Sequence, residues 1–163
     1  MGSDGARLEF LLNGRTERID LAAPHETLLD FLRARGLTGA KEGCAEGECG
    51  ACTVLMNDAA VNSCLVLAVE ADGQEVTTVE GLAADGQLTA VQQAFLEHGA
   101  VQCGFCIPGM LIAATSLLKA NARPTTTEIQ EALAGNLCRC AGYSRIIAAV
   151  HAAAAAARDN LRS

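Results

Sequence analysis

The sequence predicts an α+β fold in two consecutive parts. Alternating apolar residues and tight-turn dipeptides fill the first half. Four segments with helix start and stop signals fill the second. Eight cysteines fall into two groups of four, one group in each half. At 163 residues the chain is long enough for two small domains. We expect one over residues 1–82 and one over 83–163, joined in the glycine- and alanine-rich stretch 81–87. Domains of this size bury little core, and metals often supply the missing stability.

Residues 7–12 and 15–21 read as a hairpin closed by Asn13-Gly14. A helix follows Pro24, with Leu28, Phe31, Leu32 and Arg35 on one face and Gly36 placed to stop it. Gly36, Gly39, Gly43, Gly47 and Gly50 then mark a stretch with three cysteines that no regular element accommodates. Residues 53–56 resume as a strand, turn near Asn57-Asp58, and pair with 60–64. Residues 66–69 are ambiguous, and 75–79 read as the last strand. Residues 89–98 form a helix ended by Gly99. Residues 108–119 form a second, with Pro108 in its first turn. Thr125 and Glu128 have capping-box spacing before a third, ending near Gly135. Residues 144–158 form an alanine-rich fourth, and four helices with short loops make a bundle.

Composition excludes several function classes. Half the residues are hydrophobic, so the chain is globular rather than disordered. Aromatics are scarce and tryptophan is absent, which argues against base stacking. The net charge of −7 argues against binding a phosphate backbone, so we expect no nucleic-acid partner. No charged-then-apolar leader or adjacent arginine pair opens the sequence, and Ala6 stands where a myristoylation motif wants Ser or Thr. The apolar run 146–157 is shorter than the roughly 20 residues that span a bilayer. The expectation is a cytoplasmic protein without membrane insertion. That compartment is reducing and argues against four structural disulfides.

The first quartet is Cys44, Cys49, Cys52 and Cys64. Its C-x₄-C-x₂-C spacing with a distant fourth cysteine is that of plant-type [2Fe–2S] ferredoxins. Such clusters need four thiolates and backbone N–H groups near the sulfurs. The glycines of residues 43–52 permit that close approach. The second quartet is Cys103, Cys106, Cys138 and Cys140. Each of its pairs precedes a helix, whose N-terminal N–H groups favour an anionic cluster. On spacing alone this quartet fits structural zinc as well as iron and sulfur. His25, His98 and His151 are isolated and read as solvent-facing or packed. No phosphate loop or dinucleotide fingerprint is present, and no residue of this chain is expected to be catalytic.

Three stretches carry a resemblance: residues 37–55 around the first three cysteines, Val101-Gln102-Cys103-Gly104-Phe105-Cys106, and Gly135-Asn136-Leu137-Cys138-Arg139-Cys140-Ala141-Gly142-Tyr143. In this order the chain closely resembles the small iron–sulfur subunit of molybdenum hydroxylases, the xanthine dehydrogenase and aldehyde oxidoreductase family. The resemblance runs from about residue 7 to residue 150. It implies a β-grasp, plant-ferredoxin-like domain followed by a four-helix bundle, each holding a [2Fe–2S] cluster. It also implies a large partner with a molybdopterin-type molybdenum cofactor and a medium partner with FAD, in a heterotrimer or its dimer. Gln102 matches the family glutamine that contacts the molybdopterin, and Cys140 the cysteine whose surroundings touch the pterin. Ile107 and Ala141 stand where many relatives have threonine, without affecting the ligands. The implied role is electron transfer during hydroxylation of a purine, an N-heterocycle or an aldehyde. The same scaffold serves carbon monoxide dehydrogenase and an aromatic thioester reductase. A free ferredoxin-like carrier and a zinc-stapled interaction module are the alternatives of other classes.

Overall fold

Alternation in the first strand decides which way the sheet faces. Leu8, Phe10 and Leu12 are buried, while Arg7, Glu9 and Leu11 point to solvent. The structure, a computed structural model, describes residues 6–21, 25–83 and 86–160. Strands β1 (Ala6–Leu12) and β2 (Arg15–Leu21) pair antiparallel. Asn13 and Gly14 both take positive φ at their turn, as the right-handed twist of a two-residue hairpin demands. Strand β3 (Thr53–Met56) pairs antiparallel with β4 (Ala59–Asn62) and with β5 (Glu75–Thr77). Strand β5 lies parallel to β1, giving the order β2-β1-β5-β3-β4.

Helix α1 (Leu28–Ala34) packs its apolar side into this sheet. Thr27 caps it, accepting from the Asp30 N–H at 3.1 Å. Leu28, Phe31 and Leu32 are fully buried, as the periodicity predicts. Arg35 instead lays its guanidinium over the Phe31 ring, 3.5 Å from the centroid. Gly36 ends the helix at φ +81. Pro24 lies outside the described residues.

Two strand limits differ from expectation, each because a side chain takes over a backbone partner, and the ambiguous stretch between them is resolved. Strand β4 stops at Asn62, since Ser63 turns inward and donates its hydroxyl to the Cys52 carbonyl at 2.7 Å. Residues 66–69 are not a strand. Leu67 makes an isolated bridge to Thr27, and a 3₁₀ turn follows at Ala68–Ala71. Strand β5 stops at Thr77, because the Thr78 N–H goes to the Asn13 side chain at 2.8 Å.

The second half is helical throughout. Helices α2 (Ala90–Glu97), α3 (Ile107–Ala120), α4 (Thr126–Leu133) and α5 (Tyr143–Asn160) pack on Phe95, Met110, Ile129, Leu133, Ile146 and Val150. Thr125 and Glu128 form the expected capping box, and Thr89 and Gln92 form another. A separate core lies under the sheet, built from Leu8, Phe10, Leu28, Phe31, Leu32, Val54 and Val76. Val79 and Leu82 pack against the helical core, and residues 84 and 85 of the expected linker lie outside the described residues. Helix α3 ties the halves together: Ser116 donates to the Asp58 carbonyl at 2.8 Å, and Lys119 pairs with the Asp58 carboxylate. Among the described residues no helix is long and apolar enough to cross a membrane.

Candidate metal centres

The glycine-rich loop between α1 and β3 is held by its own backbone and by neighbouring strands. Lys41 N–H donates to the Ala51 carbonyl at 2.9 Å, and Asn62 donates its amide to the Gly47 carbonyl at 2.9 Å. This curls the loop around the Cys44 sulfur, which receives the N–H groups of Glu46 and Glu48 at 3.4 and 3.3 Å. The Glu46 and Cys49 N–H groups, in that order, pull the Cys44 thiol down to about 7. Burial, followed by the Cys52 thiol, pushes Cys64 up to about 11. A side chain at Gly43 would begin 2.8 Å from the Cys49 sulfur, so only glycine leaves that thiol its place.

The second quartet gathers at the starts of two helices. Cys106 caps α3, and Cys140 lies three residues before α5. The Phe105 N–H and the Cys140 thiol lower Cys103. Burial, then the Cys138 thiol, pushes Cys106 up to about 12. Burial raises Cys138, but the Cys140 N–H, the Cys106 thiol and the Ala141 and Gly142 N–H groups outweigh it and the net shift is downward. The Cys103 thiol raises Cys140. A cavity of about 140 Å³ lies among these four cysteines and is lined also by Gln102 and Phe105.

Within each quartet the thiols act on one another: Cys49 on Cys44 and Cys52 on Cys64 in the first, Cys140 on Cys103 and Cys138 on Cys106 in the second. Structural zinc gathers four ligands around a single point. A binuclear cluster instead takes two thiolates at each end of an Fe₂S₂ rhomb. The N–H groups aimed at the Cys44 sulfur and the cavity at the second quartet fit such a cluster.

The two sites differ in exposure. Cys52, Cys64 and Cys106 are buried, Cys44, Cys49 and Cys138 are half-buried, and Cys103 and Cys140 are exposed. Gln102 is exposed beside Cys103, and no hydrogen bond to its amide is found among the described residues. His25, His98 and His151 are exposed away from both quartets, His151 lying 3.1 Å from the Thr126 hydroxyl.

Sequence reasoning gave no role to the residues that join the sites. The Leu137 N–H donates to the Cys49 carbonyl at 2.9 Å. Asn136, buried, donates to the Gly50 carbonyl at 2.9 Å. Tyr143 accepts from the Cys138 N–H at 3.0 Å and donates to the Asn136 carbonyl at 3.1 Å. The signal was in view, since all three lie in the motif around Cys138, but a polar residue between ligands reads as an ordinary loop residue.

Residues 10–89 match the 2Fe-2S iron-sulfur cluster binding domain family, and residues 78–151 the [2Fe-2S] binding domain family. The nicotine 6-hydroxylase small subunit of Paenarthrobacter nicotinovorans is 52% identical over 149 residues, which is 91% of this chain and 89% of that relative. The chain belongs to the small iron–sulfur subunits of the molybdenum hydroxylases. The nicotinate dehydrogenase small FeS subunit of Eubacterium barkeri is 54% identical over 140 residues, 85% of this chain and 88% of its own length. The crystal structure of quinoline 2-oxidoreductase from Pseudomonas putida 86 superposes with a TM-score of 0.87 at 46% identity, covering 96% of this chain and 98% of that one. Like other small iron–sulfur subunits, this one is a part of an oxidoreductase and has an electron-transfer role.

Proposed function

We propose that the chain carries electrons from a molybdopterin-type molybdenum centre, through two [2Fe–2S] clusters, to FAD. The molybdenum cofactor would lie in a large partner subunit and the FAD in a medium one, in a cytoplasmic heterotrimer or its dimer. Cys44, Cys49, Cys52 and Cys64 hold the first cluster, and Cys103, Cys106, Cys138 and Cys140 the second. The two units meet at residues 82 and 83. The observation that carries this reading is the cavity lined by Cys103, Cys106, Cys138 and Cys140, with Cys103 and Cys140 exposed beside Gln102. An exposed ligand pair with an unengaged amide next to it is the side from which a partner's cofactor would be reached, and Gln102 and Cys140 are the residues assigned to that contact.

Relatives named for nicotine, nicotinate and quinoline support an N-heterocycle as the substrate of the assembled enzyme, ahead of an aldehyde. Iron and acid-labile sulfide analysis tests the cluster assignment, with about four irons per chain expected for two binuclear sites. Co-purification with molybdenum- and flavin-containing chains separates a subunit from a free carrier. Cys138→Ser should abolish one of two distinct paramagnetic signals of the reduced protein and spare the other. Loss of both from a folded protein contradicts two independent sites.

A further inference from the structure

Asn136 is a buried polar side chain that bridges the loops of the two quartets. It is 5% exposed and lies two residues before Cys138. Its amide nitrogen donates to the Gly50 carbonyl at 2.9 Å and to Thr53 Oγ1 at 3.1 Å. Thr53 in turn donates its hydroxyl to the same Gly50 carbonyl at 2.6 Å. The Thr53 N–H donates to it as well, at 3.2 Å, and Gly50 follows Cys49 directly, so three donors fix the peptide next to a first-site ligand. Beside this clamp, the Leu137 N–H donates to the Cys49 carbonyl at 2.9 Å. Leu137 is covalently joined to Cys138. The backbones of Cys49 and Cys138 are thus linked by one hydrogen bond and the bonds of a single intervening residue.

The halves that carry these loops have separate hydrophobic cores. Their relative register at this point depends on the few groups that cross between them. Electronic coupling falls off more slowly along covalent and hydrogen-bonded links than across van der Waals gaps. We propose that Asn136 is a positioning residue for electron exchange between the two sites: by holding the Gly50 carbonyl it keeps the Leu137 N–H on the Cys49 carbonyl, and that hydrogen bond carries the coupling. In each exchange one electron leaves one site and one arrives at the other. No covalent bond forms or breaks, and no proton moves. The inference rests on the reading that both quartets hold binuclear clusters.

The test uses the full chain with both sites loaded and reduced, observed by electron paramagnetic resonance. Spin coupling between the sites splits their signals. Replacing Leu137 by its α-hydroxy acid turns the N–H into an ester oxygen and leaves the side chain intact. This variant should keep both signals at their own positions and potentials and lose the through-bond part of the splitting. Asn136→Ala and Thr53→Val should weaken the splitting, while Thr53→Ser, which keeps the hydroxyl, should retain it. A purely structural role for Asn136 predicts lower stability with unchanged splitting. Should Asn136→Ala fail to fold, the ester and Thr53→Val variants decide. Two parent signals whose splitting is unchanged in size by the ester substitution overturn the inference and leave the two-cluster reading standing. A parent with one signal overturns that reading, and the inference with it.

Discussion

Gly109→Ala places a strong helix former in the first turn of α3, and the structure predicts that it destabilises the protein. Intrinsic propensity favours the change by about 1 kcal/mol. Against it stands the Gly50 carbonyl oxygen, 2.3 Å from where the new Cβ would sit, with Asn136 Nδ2 at 2.9 Å. A carbon normally keeps about 3.3 Å or more from a carbonyl oxygen, so that carbonyl must retreat by about 1 Å. It is backbone, already at φ +67 and bonded to Asn136 and Thr53, and cannot rotate away as a side-chain tip could. Overpacking of this kind costs about 1–3 kcal/mol. Disturbing the two hydrogen bonds adds about 1 kcal/mol for each one lost. The net loss is about 2 kcal/mol, which lowers the melting midpoint by about 4–8 °C for a chain of this length. The assay is a thermal melt of parent and variant, both cluster-loaded, followed by helical circular dichroism and by cluster absorption. Gly135→Ala is the control. A Cβ there meets nothing within 4 Å, so its effect should stay within about 0.5 kcal/mol. A Gly109→Ala protein that melts at or above the parent temperature refutes the close approach of α3 to the first cysteine loop.

Tyr143→Phe leaves the Cys138 N–H and the Asn136 carbonyl without their phenolic partner. A loss of about 1–2 kcal/mol is expected. The potential of one cluster should shift and the other hold, as redox titration would show; two unchanged potentials would remove Tyr143 from the second site. Glu128 is held below the usual carboxylate range by the Thr125 N–H, then by the Thr125 hydroxyl and the Asn121 amide. A depressed folded value means that its contribution is present above the unfolded value, about 4.3, and is lost as pH falls through the folded one. The protection of amides at the start of α4, taken relative to their intrinsic exchange rate at each pH, should therefore fall on acidification below that point. Glu128→Gln, which preserves the box without the charge, should flatten the response, and identical profiles for both proteins would contradict it. Gln102→Ala should leave both paramagnetic signals intact and slow internal electron transfer in the assembled enzyme. Unchanged turnover would remove Gln102 from the proposed cofactor contact.

The hairpin, α1 and the four later helices were legible because each rests on local chemistry. Asn13-Gly14 is a turn wherever it falls between alternating apolar residues, and Thr125 with Glu128 caps a helix from three residues away. The strand ends at Asn62 and Thr77 were not legible. They are set by Ser63 and Thr78, whose partners are the Cys52 carbonyl and the Asn13 side chain, the latter 65 positions away in sequence. The parallel pairing of β1 with β5 is hidden for the same reason. At the candidate metal centres, spacing alone grouped the cysteines but did not say which are open. Cys103 and Cys140 are exposed on the cavity, while Cys106, three residues on from Cys103, is buried at the start of α3. The contact between the sites was least legible of all. It depends on Gly50, Gly109 and Asn136, which come from three separate segments and mean nothing singly.

The exposure of the cysteines also bears on why two halves with separate cores stay in one chain. Hydrogen bonding to sulfur and solvent exposure set the potential of an iron–sulfur site. The first site has its sulfurs wrapped by its own loop, with Cys52 and Cys64 buried and Cys44 receiving two backbone N–H groups. Its environment is therefore largely complete within this chain. The second site buries Cys106 but leaves Cys103 and Cys140 at the surface. In the proposed assembly a partner covers that pair, so docking itself would change the exposure of the second site and, with it, the driving force for electrons crossing to the first. The linkage through Asn136 and Leu137 runs to Cys138 rather than to the exposed Cys103 and Cys140. It would keep the spacing between the sites fixed while the exposed pair meets its partner.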